Sequence, residues 1–224
     1  MLDDWGAGVM FGLNSSGSNT IVVDDAFVPD RRAIPSEDFF NPGMPTHGTQ
    51  LYGNPLYVGR PAGPYHTSLV CPIIGAAKAA IDEFREIIMV KPTSFYPQVP
   101  RYQFHEDQRA LGTAIAKADA AEAIVLSFAD EYTEAGRESM ETGVAIPMQQ
   151  DARWWLMLQQ AGGLAYEAVQ ALAIRSTSGA MGGNRPLARY LRDATTYRQH
   201  ISSQQGDFAV RYAALTLGAS DRWL

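Results

Sequence analysis

The chain has 224 residues, 46% of them hydrophobic, with a formal net charge of -6, a pI ≈ 5.2 and one cysteine. That length bounds it to one domain, or one domain and a piece of another, and the acidic balance argues against broad binding of nucleic acid or of an anionic membrane surface. A single thiol leaves no internal disulfide framework, no unbroken apolar run is long enough to span a bilayer, and no signal peptide opens the chain, so the expectation is a soluble cytoplasmic protein.

Residues 1–30 read as extended structure. The β-branched run Thr20, Ile21, Val22, Val23 is bounded by Ser/Gly/Asn on one side and by Asp24 and Asp25 on the other, which is a strand signal. Pro29 closes it, because proline cannot donate to a ladder. One or two strands make no stable sheet alone, and Met1 to Trp5 carry no helix or cap logic, so the expectation is a chain that begins partway through a larger protein. Residues 31–64 mix six prolines with Gly43, Gly48, Gly53, Gly59 and Gly63 and read as a connecting loop. Phe39, Phe40, Tyr52 and Tyr57 within it argue against plain disorder and for a segment that wraps a surface or lines a pocket.

From residue 65 the apolar period becomes helical. Leu69, Ile73, Ala76, Ala77, Ala80, Ile81, Phe84 and Ile88 form one stripe that predicts a helix over 65–91, with Pro72 as a kink and Cys71 as a buried, inert thiol. Further stripes predict helices over 106–135, 148–174, 186–201 and 205–217. Lys117, Asp119 and Glu122 mark a solvent or polar-pocket edge of the second. Asp130, Glu131, Glu134, Glu138 and Glu141 read as its solvated acidic end. Long helices joined by modest loops, each with one apolar face, imply a mainly α, antiparallel helical bundle over 65–224. Trp154 and Trp155 read as core and subunit contact. No fixed-period repeat, low-complexity segment or metal-ligand spacing is present.

The most chemically suggestive stretch is 176–205. Ser178 to Asn184 is a run of small residues with backbone freedom for close approach. Pro186 sits where a helix would start. Arg185, Arg189 and Arg192 follow on the helix, and His200 lies near its end. The plain alternative is a helix–loop–helix join with a solvated basic face. Of the other histidines, His66 and His105 fall near expected helix starts and read as structural, and His47 lies in the loop with no evident partner.

Two motifs carry a family resemblance. Gly12-Leu13, Ser16-Gly17-Ser18-Asn19 and Val22-Val23-Asp24-Asp25-Ala26-Phe27-Val28-Pro29 resemble the middle-domain signature of the acyl-CoA dehydrogenase fold. Gly182-Gly183, Pro186, Arg189 and Arg192-Asp193-Ala194 resemble the C-terminal helix region of the same superfamily. The resemblance implies that 1–30 is the incomplete end of a β-barrel domain and that 65–224 is the C-terminal helical bundle, assembled as a homotetramer. In many acyl-CoA dehydrogenases a glutamate serves as base several residues after Arg-Asp-Ala; here that position falls on Ile201, which cannot take a proton. A histidine near this place instead resembles the reduced-flavin-dependent monooxygenases of the fold, the oxygenase components of two-component systems that hydroxylate phenols and other aromatics.

That branch implies reduced FMN or FAD from a flavin reductase, dioxygen, an aromatic small-molecule substrate and reaction through a C4a-hydroperoxyflavin. His200 would hydrogen-bond the peroxide or help deprotonate the substrate, and Ser18 or Ser16 would sit at the flavin's reactive edge. Arg109 resembles an arginine placed on the flavin phosphate; a surface pair with Glu106 or Asp107 is the alternative reading. Gly182, Gly183 and Asn184 resemble the place where one subunit meets its neighbour's cofactor. An acyl-CoA dehydrogenase-type flavoenzyme and a non-catalytic helical oligomerisation fragment are the competing readings, and with half of a barrel absent the resemblance implies a chain that alone holds flavin poorly or not at all.

Overall fold

The computed structural model describes residues 10–36 and 43–219. The expectations for residues 1–9, Phe39 and Phe40 lie outside these. Six helices carry the structure: α1 (His47–Tyr52), α2 (Ala62–Val90), α3 (His105–Thr142), α4 (Met148–Arg175), α5 (Pro186–Gln199) and α6 (Gln205–Thr216). α4 is the central element. α2 and α3 pack along it and against each other, and α5 and α6 lie on its remaining sides. The five-residue link from α3 to α4 forces them to run antiparallel.

Each helix forms for local reasons and survives by burying a face. Along α2, Val70, Ile73, Ile74, Ala77, Ala80, Ile81, Phe84 and Ile88 enter the core, meeting Ala114, Ala118, Ala121 and Phe128 of α3 and Trp154, Leu158, Ala161, Ala165 and Leu172 of α4. The alanines bring the helix axes close, and Gly162 brings α5 closer still. A Cβ at Gly162 would stand 2.8 Å from Cε1 of Tyr197. α3 reaches Thr142, about two turns beyond the expected end, and closes on Gly143 in the left-handed region at φ 72°. Gly136, inside the helix, is where the Pro55–Tyr57 turn crosses α3, since a Cβ there would lie 2.6 Å from the Pro55 carbonyl oxygen.

Several expectations change. Cys71 is exposed, not buried: the stripe Val70, Ile73, Ile74, Ala77 turns it to the far side of α2. Residues 31–64 are not structureless, since they contain the Asp30–Arg32 turn, α1 and the Pro55–Tyr57 turn. Residues 20–23 pair with no strand among the described residues, and Ile21, Val22, Val23 and Phe27 stand exposed, because a β-branched run needs a neighbouring strand to bond to. Glu131 is no solvated end. It accepts hydrogen bonds from Arg153 at 2.6 Å, the Trp154 indole at 3.0 Å and Gln150 at 3.3 Å, and chiefly the Arg153 bond holds its carboxyl below the usual carboxylate range. Lys117 and Glu122 do form a polar edge, paired with Glu167 and Lys78.

Asp107, weighed from the sequence only as a surface partner of Arg109, is instead buried and paired elsewhere. It is 1% exposed and receives Arg101 Nε at 2.7 Å and Arg175 Nη2 at 2.7 Å. Burial pushes its carboxyl up, and the hydrogen bonds and charges of both arginines outweigh that and hold it low. The Arg101 Nη2 also donates to the Arg175 carbonyl at 2.6 Å. One carboxylate thus ties the α2–α3 link, the start of α3 and the end of α4.

Candidate functional site

α5 gathers the two motifs that the sequence holds 180 residues apart. The backbone N–H of Leu13 donates to Asp193 Oδ1 at 2.7 Å. Gly12 packs on the helix so closely that a Cβ would fall inside the Arg192 carbonyl. Leu13 itself sits in the left-handed region at φ 55°, uncommon for a branched side chain. The Ser16 N–H then closes a turn on the Leu13 carbonyl at 2.9 Å, and Asn19 Nδ2 donates to the Gly17 carbonyl at 2.9 Å. The Ser16 and Ser18 hydroxyl oxygens face each other at 3.2 Å on the exposed rim of this loop.

His200 is the C-cap of α5, seven residues, or ~10 Å of helix rise, beyond Asp193. Its Nδ1 accepts the Ser202 N–H at 3.1 Å. An amide N–H needs a lone pair, so Nδ1 carries no proton in this arrangement and the neutral ring holds its proton on Nε2. The following Ile201–Ser203 turn is braced by Gln159 and Arg198. Ile201 is exposed.

His66, expected to be structural, is only 5% exposed. It packs edge-on against Trp155 at 5.2 Å and Phe208 at 5.8 Å, so it joins α2, α4 and α6. Burial first, and the nearby His200 second, push its imidazole down to about 4. Two further polar atoms stand out, one on Asn19 of the serine motif and one on Thr196, which had no sequence signal for function. The Thr196 hydroxyl, one turn before His200, and the Asn19 side-chain oxygen Oδ1, at the end of the serine loop, are both buried without a hydrogen-bond partner. Buried orphans cost free energy, and only the assembled structure reveals them.

At the other end of α5, Gly182, Gly183 and Asn184 form an exposed loop with Gly183 at φ 56°, and the Arg192 guanidinium reaches the Gly183 carbonyl at 3.4 Å. Arg109 is not brought to α5 by any hydrogen bond or ion pair among the described residues. It is 71% exposed and pairs with Glu106 on its own helix at 3.1 Å. No His/Cys/Asp/Glu group among the described residues could hold a metal ion, and no helix there is long and apolar enough to cross a membrane.

A bundle of long antiparallel helices with a loop docked on its fifth helix matches known proteins. Residues 67–205 match the family described as Acyl-CoA dehydrogenase, C-terminal domain, and the chain belongs to that family. It is 27% identical over 201 residues to a pigment production hydroxylase of Rhodococcus sp. (strain ATCC 21145), covering 89% of this chain and 49% of the relative. It is 27% identical over 211 residues to the flavin-dependent monooxygenase, oxygenase subunit HsaA, of Rhodococcus jostii (strain RHA1), covering 92% and 53%. The crystal structure of 3-HSA hydroxylase from Rhodococcus sp. RHA1 superposes with a TM-score of 0.80 at 25% identity, over 98% of this chain and 53% of that one. The chain spans about half the length of the curated relatives it matches.

Proposed function

We propose that this chain is the C-terminal portion of the oxygenase component of a two-component monooxygenase, which uses reduced FMN or FAD from a reductase partner to hydroxylate a phenolic or other aromatic small molecule with dioxygen. The observation that carries this reading is the docking of the serine loop onto the helix that ends in His200. It is supported by curated relatives that bear hydroxylase and flavin-dependent monooxygenase names.

The residues present fit a flavin. An isoalloxazine offers N–H and C=O groups of the kind that the orphaned Thr196 hydroxyl and Asn19 side-chain Oδ1 require. Ser16, Ser18 and Thr196 would hold its polar edge, and the open Gly182, Gly183 and Asn184 loop would admit the cofactor of a neighbouring subunit. Arg109 would serve a phosphate if it left Glu106. When bound, the reduced flavin supplies the two electrons that divide dioxygen between the substrate and water.

The protein's part is binding, orientation and proton placement. With Nδ1 occupied by the Ser202 N–H, His200 offers Nε2–H as a hydrogen-bond donor to an oxygen atom set against it. That favours the donor role over proton abstraction. The apolar bundle excludes water behind it. Met89, Val90, Phe95, Tyr96 and Ile174 are exposed, and burying that apolar surface against copies of the chain supports a homotetramer. We assign the 1–30 segment to the end of a β-barrel domain, 31–64 to a connecting loop and 65–224 to the bundle, in a cytoplasmic enzyme.

The test uses the full-length parent, mixed without air with reduced FMN or FAD and then given dioxygen and a panel of phenols. Hydroxylated product formed in step with flavin consumed, and lost in His200→Ala and Ser18→Ala, is the expected result. Flavin oxidation at the rate seen free in solution, with no product from any phenol, overturns the reading.

A further inference from the structure

Gln159 is a fully buried amide in the middle of an apolar helix. It is 1% exposed on α4, between Leu158 and Ala161, which are both 0% exposed. A polar group in such a place costs free energy unless it is hydrogen-bonded, and a leucine or methionine would fill the volume without that cost. Its Nε2 donates to the Ser202 carbonyl oxygen at 2.8 Å, 43 residues on in the chain and inside the protein. Ser202 also gives its N–H to His200 Nδ1 at 3.1 Å. The same residue therefore receives a fixing bond from α4 on its carbonyl and passes one to the histidine from its amide.

The other side of the turn is held as well. The Ser203 N–H donates to the His200 carbonyl at 2.9 Å, and Arg198 Nη1 donates to the Ser203 hydroxyl at 2.8 Å and to its carbonyl at 3.2 Å. Among the described residues, only the Gln159 bond crosses from the bundle core to Ser202 itself. We propose that Gln159 is a positioning residue for His200: through Ser202 it fixes the imidazole's orientation and keeps the proton on Nε2. This inference rests on the reading of His200 as the site's hydrogen-bond donor, but the geometry it predicts exists without flavin or substrate.

The test needs no cofactor. The 224-residue chain is labelled with ¹⁵N, and the His200 resonances are assigned by their loss in His200→Asn. Wild type should show an unprotonated Nδ1 with a scalar coupling to the Ser202 amide, and slow exchange of that amide. Ser202→Pro removes the donor directly and sets the unfixed reference for the ring nitrogens. Gln159→Met, close in shape but without the donor, should abolish the coupling and move the ring nitrogens toward that reference. It should also speed Ser202 amide exchange by about tenfold, as loss of one net hydrogen bond implies, with changes confined to residues 199–204. If Gln159→Met does not fold, Gln159→Leu carries the test, since it fills the buried site with an apolar group that cannot donate. Wild-type ring nitrogens and exchange in the Gln159 variant overturn the proposal, as do changes spread through the whole bundle or an absent coupling in wild type. Failure of flavin-coupled hydroxylation in the parent enzyme, with this network intact, would instead count against the oxygenase reading alone.

Discussion

The helical bundle and the serine loop are held in opposite ways. In the bundle, α2, α3 and α4 share a continuous core of fully buried side chains, and a buried charge cluster ties their ends. The loop of residues 12–19 buries little of itself. Among the described residues it is placed by the Leu13–Asp193 bond, the close approach of Gly12 to α5 and the packing of Leu13 against the core, and the apolar residues that follow it are exposed. The lesson is that stability and site geometry are separable here: changes in the bundle should show in unfolding, and changes at the loop should show in the site.

The largest expected effect lies in the bundle. Asp107→Ala strands Arg101 and Arg175 beside a vanished carboxylate, and breaking a buried pair in this way costs ~3–5 kcal/mol. Urea unfolding should show a lower midpoint with an unchanged slope; a loss of less than about 1 kcal/mol would mean that the cluster is solvated and the contrast with the loop weaker.

A second, pH-dependent effect belongs to His66. Its imidazole titrates near 6.5 when unfolded and at about 4 when folded. Between those values the unfolded chain takes up a proton that the folded chain refuses, so this contribution to stability is full above about 6.5 and falls as the pH drops toward 4. Asp151 acts in the opposite sense. Burial, against the pull of Arg60 and Arg211, raises its carboxyl from 3.8 to about 6, so the folded chain holds a proton there that the unfolded chain has lost, and stability rises as the pH falls through that window. Thermal melts of His66→Phe and wild type across pH 4–7 share the Asp151 term, so their difference isolates His66. That difference should change steadily as the pH falls from 6.5 to 4, and a constant difference would place His66 in contact with solvent.

The smallest effect on stability, and the largest on the site, is expected for Gly12→Ala. The added Cβ meets the α5 backbone, which cannot yield without unwinding the helix. The loop should therefore detach while the bundle's unfolding free energy stays within about 1 kcal/mol of wild type. Hydrogen exchange should rise in residues 13–19 and remain unchanged in α2–α4. Rising exchange throughout α5 would show that loop and helix form one cooperative unit.

Much of this arrangement was legible beforehand. The 3.6-residue apolar period placed α2, α4, α5 and α6 within a few residues, because burying one face is what makes each of them stable. Composition also signalled the glycine loop and Pro186 at a helix start. What failed in the reading failed for physical reasons. The expected end of α3 at residue 135 fell short of Thr142, and Gly136 just past it is a crossing point that depends on Pro55, 81 residues earlier in the chain. Glu131 looked solvated because its charge sits among other acids, and it is held by residues of another helix. Cys71 lies in an apolar run, yet the run is long enough to turn it outward.

By itself, then, the sequence determined the helices, their order and the two motifs that resemble one family, since periodicity and turn chemistry act over a few residues. Only the tertiary structure decided what those elements do to one another. Asp193 holds the serine loop, Gln159 reaches the turn after His200, and Asp107 collects two arginines from separate segments. A residue's own neighbours in sequence fix which face of a helix is apolar, but hydrogen bonds between distant segments depend on which helix packs there and how closely the small residues let it approach.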